Sequence, residues 1–128
     1  MTLVLDSGGV SALAGQRARL VELRRRGLWP PQVPAVVLAE ALTADHRRDY
    51  PTNRLLRACQ IRDVDELQAR EAARLRTATG RPSKISATDA IVAAFASLCV
   101  EPVVLTSDVR DLAALAAHTS RAITIARA

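Results

Sequence analysis

The sequence predicts an α/β sandwich in which a central, mostly parallel sheet is flanked by helices. Three observations lead to this prediction. Short β-rich segments alternate along the chain with longer segments of helical character, and turn-forming residues separate them. The core must consist of small aliphatic side chains, since 49% of the residues are hydrophobic and only 2% are aromatic. The length of 128 residues fits one domain, 1–128, with one core.

The first half of the chain is predicted to contain one strand and three helices. Residues 2–5 form a buried strand that ends at Asp6, just before a glycine pair. Residues 12–27 carry leucines at helical spacing and end in three arginines and a glycine, which is typical of a helix C-terminus. Residues 28–34 are rich in turn formers and are interpreted as a loop. The other two helices are predicted at residues 35–46 and 53–58.

The second half of the chain alternates more regularly between strands and helices. A polar helix with Asp65 and Glu66 at its N-terminus is followed by a break at residues 80–82. Ser86 or Thr88 then caps a very apolar helix. The predicted elements are a strand at 60–64, helices at 65–79 and 86–98, a strand at 102–106, a helix at 108–117 and a strand at 122–125. The predicted order is therefore β, α, α, α, β, α, α, β, α, β.

The composition bounds the partners and the location of the protein. Lys and Arg number 18 against 13 Asp and Glu, and the net charge of +5 favours a polyanionic partner. All the basic residues except Lys84 are Arg, which can hold a phosphate with two parallel hydrogen bonds. Cys59 and Cys99 form no metal-binding motif and are expected to be buried, reduced thiols. The longest apolar segment, 90–100, is too short to cross a bilayer, so we expect a cytoplasmic protein without a membrane partner.

Four acidic residues lie where strands or helices should bring them together. Asp6 and Asp108 each follow a predicted strand, at the edge where parallel strands end. Asp89 is the only charge in an apolar helix, and Glu40 is predicted to face inward because it lies four residues after Val36. Each acid alone is also explained as a helix cap or an ion-pair partner. Together they predict a site for Mg²⁺ or Mn²⁺, because buried carboxylates are costly without a cation.

The segments LVLD, VPAVVLAEAL, TDAIVAAFA and VVLTSDVRDL follow the order of the acidic motifs of PIN-domain ribonucleases. The sequence therefore resembles this family, and in size and motif style it is similar to the VapC-type toxins of bacterial toxin-antitoxin pairs. The resemblance covers essentially the whole chain. It implies a PIN-like three-layer sandwich and a magnesium-dependent endoribonuclease activity. It also implies a homodimer and a cognate antitoxin that covers the site.

The resemblance assigns roles to individual residues of this chain. It implies that Asp6, Glu40, Asp89 and Asp108 are catalytic and bind the metal. It implies that Asp111 is a further metal-binding residue, slightly further out, and that Thr106 is the hydroxyl residue beside the last strand. We expect phosphate contacts from arginines of the first half of the chain, namely Arg24, Arg25, Arg26, Arg47, Arg48, Arg54 and Arg57.

The expected substrate is RNA, with tRNA or rRNA as examples of structured targets. The scarcity of aromatic residues argues against a base-stacking platform, so backbone contacts and RNA shape are expected to govern recognition. His46 and His118 lie beside no Ser or Cys motif and are expected on the surface at helix ends, which disfavours a nucleophilic hydrolase.

Two other functions are compatible with the residues. The first is a catalytically inactive PIN-like module that binds RNA or a protein. The second is a phospho-acceptor receiver domain, which also uses acids at strand ends and Mg²⁺. A receiver needs a Lys after a late strand, whereas Lys84 precedes its helix, and no acidic pair follows the first strand. Metal-dependent RNA cleavage would separate both alternatives from the nuclease.

Overall fold

A parallel five-stranded sheet forms the centre of the computed structural model, which describes residues 1–128. The strand order is β3-β2-β1-β4-β5, and every neighbouring pair is parallel. The predicted α/β class with a mostly parallel sheet is therefore confirmed. The strands are β1 (Thr2–Leu5), β2 (Gln32–Pro34), β3 (Gln60–Arg62), β4 (Pro102–Thr106) and β5 (Thr124–Arg127).

Helices cover the sheet in two groups. From β1 to β3 the chain moves towards one edge of the sheet, and from β3 to β5 it moves towards the other edge. Right-handed crossovers therefore place the helices between β1 and β3 on one face and the helices between β3 and β5 on the other. The contacts between helices support this placement: the first helix, α1, packs against α3 and α4, and α6 packs against α5 and α7. None of the helices combines the length and the apolarity that crossing a bilayer requires. The helices are α1 (Ser7–Leu13), α2 (Arg17–Arg25), α3 (Leu38–Ala41), α4 (His46–Ala58), α5 (Glu66–Ala78), α6 (Ala87–Ala96) and α7 (Val109–Ala116), with 3-10 turns at Ala35–Val37 and Pro82–Lys84.

Strand β2 is absent from the predicted order, so the four-strand prediction is wrong. Its residues are rich in turn formers, and only pairing with distant segments makes them a strand. Gln32 pairs with Val4 of β1 and with Gln60 of β3, and Val33 is fully buried. Tertiary packing therefore outweighs the local signal here.

The helix boundaries in the first half also differ from the prediction. The single helix at 12–27 is two helices, because the chain reverses at Gly15, whose φ is +77°. The helix at 35–46 is a 3-10 turn followed by one turn of α3, and α4 starts only after Asp45. The Asp45 carboxylate accepts hydrogen bonds from the backbone N–H groups of Arg47 at 3.0 Å and Arg48 at 3.2 Å. Because of this cap, α4 begins at His46 and not at residue 53, where the predicted helix began. The helix continues through Pro51.

The core is aliphatic, as the composition predicts. It contains 23 buried hydrophobic side chains, and Phe95 is the only aromatic one among them. Each fully buried Val or Leu contributes about 1.5–3 kcal/mol of transfer free energy. Cys59 and Cys99 are free thiols, but they are half-buried at the margin of the core rather than buried as expected. His46 and His118 are exposed at helix ends, as predicted.

Candidate metal centre

Asp6 lies where β1 ends, next to the end of β4, and its side chain is 4% exposed. One carboxylate oxygen, Oδ1, accepts a hydrogen bond from the backbone N–H of Gly9 at 2.7 Å, which caps α1. The other, Oδ2, accepts one from the Thr106 hydroxyl at the end of β4. The sheet changes its direction of winding between these two strands, and open α/β sheets form their binding crevice at this point.

Gly8 and Gly9 allow α1 to approach β4 closely. A Cβ atom on Gly9 would lie 2.3 Å from the backbone carbonyl oxygen of Leu105. A Cβ atom on Gly8 would lie 2.1 Å from the hydroxyl oxygen and 2.9 Å from the backbone nitrogen of Ser107. No larger residue fits either position without movement of the backbone. The glycine pair therefore holds Asp6 within hydrogen-bonding distance of Thr106.

Three further carboxylates meet above this junction. Asp89 lies in the first turn of α6, Asp108 caps α7, and Asp111 lies in the first turn of α7. Each offers an oxygen, and these oxygens all lie within 4.8 Å of one another. The structure thus places Asp111 in one close group with Asp89 and Asp108, whereas both oxygens of the buried Asp6 already accept hydrogen bonds.

Helix caps hold the backbone at Asp89 and Asp111 and fix the direction of the Asp108 carboxylate. The Ser86 hydroxyl accepts from the backbone N–H of Asp89 at 3.0 Å, and the Asp108 carboxylate accepts from that of Asp111 at 3.2 Å. The Thr106 hydroxyl accepts from the backbone N–H of Asp108 at 2.9 Å and donates to Asp6. Thr106 is fully buried and so connects the acid after β1 with the acid after β4.

The acids repel one another electrostatically. Burial raises the pKa of Asp89 to about 6, and the negative charges of Asp108, Asp6 and Glu40 add to this increase. Burial also raises the pKa of Asp6, against the lowering effect of hydrogen bonds from Thr106 and Gly9. Loss of hydration raises the pKa of Asp111, and so does its neighbour Asp108. A negative potential of this kind attracts a cation.

Glu40 does not face inward, so that prediction is wrong. Val36 and Glu40 would share one face only on a continuous helix, but Val36 lies in a 3-10 turn and α3 has only four residues. The Glu40 side chain is exposed. Its charge still raises the pKa of Asp89, so it lies at the margin of the acidic group.

The donor set fits a hard divalent cation. It consists of carboxylate oxygens, with neither thiol nor imidazole among them, and Mg²⁺ and Mn²⁺ prefer such ligands. Burial and, to a smaller extent, repulsion by the neighbouring acids raise the pKa of Asp89, and a bound cation would oppose both effects.

Two arginines lie beside the acids, and the sequence prediction missed both. Burial and Asp108 raise the pKa of Asp111, and the positive charges of Arg81 and Arg110 partly offset this increase. Arg81 lies between Gly80 and Pro82, which the sequence marks only as a break in the chain. Because Arg81 lies shortly before the helix that carries Asp89, the sequence could have indicated an arginine near the acids. The arginines that were predicted to bind phosphate belong to α2 and α4, apart from Arg26, which follows α2.

Comparison with known proteins establishes the fold. No protein-family model and no curated protein matches the sequence. The structure is similar to DNA-bound VapBC from Salmonella typhimurium, with 16% identity, 99% of this chain and 98% of that chain covered, and a TM-score of 0.73. It is also similar to VapBC2 from Rickettsia felis bound to a promoter DNA fragment, with 15% identity, coverage of 100% and 99%, and a TM-score of 0.70.

A third similar structure comes from Pyrobaculum aerophilum, with 17% identity, 97% of this chain and 83% of that chain covered, and a TM-score of 0.65. The chain therefore has a PIN-like α/β fold, which confirms the predicted resemblance at the level of the fold.

Proposed function

We propose that the protein is a metal-dependent endoribonuclease and the toxin of a toxin-antitoxin pair. The observation that carries this proposal is the group of three carboxylates, Asp89, Asp108 and Asp111, with oxygens within 4.8 Å of one another. The group lies at the crevice of a PIN-like sheet, beside the buried Asp6. The likeness to two VapBC structures supports the proposal.

Each acid has a distinct part in this hypothesis. Asp89, Asp108 and Asp111 hold Mg²⁺ or Mn²⁺ directly or through water. Asp6 lies beneath them, where Thr106 and Gly9 fix its carboxylate. Its negative charge acts on Asp89 and helps to attract the cation. When bound, the cation supplies Lewis-acid polarisation of the phosphate and lowers the pKa of water.

Glu40 is exposed at the margin, and its carboxylate orients the attacking water and accepts its proton. The water oxygen bonds to phosphorus, and the bond from phosphorus to the 3′ oxygen breaks. The 3′ oxygen takes a proton from solvent, so the products carry a 5′-phosphate and a 3′-hydroxyl. Arg81 and Arg110 lie beside Asp111 and hold the phosphate against the repulsion of the acids.

The partners in this proposal are RNA, an antitoxin and a second copy of the chain. The solved structures that resemble this protein include VapBC from two bacteria, which supports a cognate antitoxin. A basic or amphipathic segment of that antitoxin would neutralise the acids. The RNA is a structured molecule such as tRNA or rRNA, and the protein acts as a homodimer.

Cleavage of a mixed RNA pool tests the proposal. The wild type is incubated with Mg²⁺, Mn²⁺ or EDTA, and the product ends are mapped. Cleavage should require the metal, and Asp89→Asn should lower its rate at least 100-fold, because removing one charge-stabilising group commonly costs this much. Asp63→Asn is the matched control, since Asp63 is an exposed acid outside the acidic group.

Equal cleavage by wild type and a folded Asp89→Asn protein would refute the assignment of the site. Absence of cleavage with every metal would favour the inactive RNA- or protein-binding module instead. Circular dichroism of each variant confirms that the protein is folded.

A further inference from the structure

A groove runs between α2 and α4 on the side of the molecule that bears α1. Its volume is about 600 Å³ and eleven residues line it, none of them acidic. Helix α2 contributes residues 17, 20, 21 and 24, which share one face of the helix, and α4 contributes residues from its middle turns. Leu20 packs against the core, whereas Arg17, Val21 and Arg24 are exposed, so the outer part of this face is open to a ligand.

The groove is positively charged. Arg17, Arg24 and Arg54 line it, and all three side chains are exposed. The four ion pairs of the protein involve other basic groups, which are the N-terminus, Arg25, Arg70 and Arg74. The three guanidinium groups are therefore free to bind an anion such as phosphate.

The groove also contains two of the three aromatic residues of the chain. Phe95 belongs to the core, whereas Trp29 and Tyr50 line the groove, and Tyr50 is 57% exposed. The guanidinium carbon of Arg24 lies over the Trp29 ring, 4.8 Å from its centre, in a cation–π contact. The chain has few aromatic residues, but two of them lie together in this groove, where nucleic acid bases could stack.

The groove lies at the opposite end of α1 from the acidic group. Asp6 caps the N-terminus of α1, and Gly15, two residues beyond its C-terminus, lines the groove. At a rise of about 1.5 Å per residue the two ends of this seven-residue helix are roughly 10 Å apart along its axis. A Cβ atom on Gly15 would meet no atom within 4 Å, so the space around this end of the groove is open. A strand that leaves the acidic group can reach the groove within a few nucleotides.

We propose that the groove binds a single-stranded segment of RNA close to the bond that is cut. Bases stack on Tyr50 and beside the Arg24–Trp29 pair, and phosphates bind Arg17, Arg24 and Arg54. Alternating flat and cationic groups match the alternating bases and phosphates of a nucleic acid strand. The connection to cleavage rests on the proposed nuclease function, whereas the binding of RNA does not require it.

The fluorescence of Trp29, the only Trp, reports occupation of the groove directly. The full-length protein is titrated with a short oligouridine in EDTA, so that no cleavage occurs. The fluorescence should be quenched, and the logarithm of the affinity should fall with the logarithm of the salt concentration with a slope of about −2, since each of three phosphate contacts contributes about −0.7. Tyr50→Ala should weaken binding about tenfold or more, because it removes a stacked base contact.

Matched variants separate the groove from the general positive charge. Arg54→Ala should weaken binding and make the salt slope shallower by about 0.7. Arg19→Ala removes the same charge from an exposed site of α2 outside the groove and should stay within about twofold of wild type. Tyr50→Phe keeps the ring and should bind as the wild type does.

Three results would overturn the inference. The first is an unquenched wild type, a measurement that depends on no variant. The second is equal RNA binding by Arg54→Ala, Tyr50→Ala and Arg19→Ala. The third is quenching by an acidic helical peptide and none by RNA, which would assign the groove to a protein ligand. If RNA quenches the fluorescence but the protein cleaves no RNA, the nuclease function is refuted and the inference that the groove binds RNA is retained.

Discussion

The two ends of α1 differ in how they are built, although one short helix joins them. At the N-terminal end, backbone contacts and buried hydrogen bonds hold the acids, as in the contact of Gly9 with Leu105 and the bond from Thr106 to Asp6. At the C-terminal end, exposed side chains of α2 and α4 form the basic groove. The acidic end is therefore tied to the stability of the fold, whereas the exposed arginines of the basic end can change with little effect on it.

The largest stability effect is expected from Gly9→Ala. The new Cβ would lie 2.3 Å from a backbone oxygen, and relief of the clash should lower the free energy of unfolding by about 2–3 kcal/mol. Urea denaturation measures this change. Ser11→Ala, at an exposed position of the same helix, is the control and should change stability by less than about 0.5 kcal/mol. An unchanged midpoint for Gly9→Ala would show that α1 has room to move.

A smaller effect is expected from pH and metal at the acidic end. Because the folded-state pKa of Asp89 is raised to about 6 from an ordinary value of 3.8, the folded protein binds a proton more tightly than the unfolded chain. The stability of the metal-free protein should therefore fall as the pH rises from about 4 to 6. The expected loss in Tm is a few degrees, because solvent screens a half-exposed carboxylate.

Melting curves of wild type and Asp89→Asn in EDTA isolate this contribution, since the variant lacks the titrating carboxylate. Addition of Mg²⁺ above pH 6 should raise the Tm of the wild type more than that of the variant. If the difference in Tm between the two proteins stays constant from pH 4 to 6, the repulsion within the acidic group is negligible.

The smallest stability effect is expected at the basic end. Arg17→Ala and Arg54→Ala remove exposed charges without ion-pair partners, so the free energy of unfolding should change by less than about 0.5 kcal/mol. Urea denaturation of both variants beside Gly9→Ala makes the comparison direct. A loss above 1 kcal/mol in either variant would mean that the groove, like the acidic end, supports the fold.

The sequence predicted the α/β class because strand and helix patterns alternate clearly in its second half. It did not predict β2, since residues 32–34 become a strand only through pairing with β1 and β3. It placed Glu40 inward because helical spacing from Val36 assumes a continuous helix, which the 3-10 turn interrupts. The meeting of Trp29 and Tyr50 in one groove depends on how α2 and α4 are placed beside α1, and no local sequence pattern predicts it.

The bond between Asp6 and Thr106 joins residues 100 positions apart in the chain. The acids after β1 and after β4 therefore come together only after β4 has been made and packed against β1. A nascent chain that has not yet released residue 106 from the ribosome already carries Asp6, Glu40 and Asp89, but it lacks the assembled centre. During synthesis, any activity of this site must therefore await the last strands of the sheet.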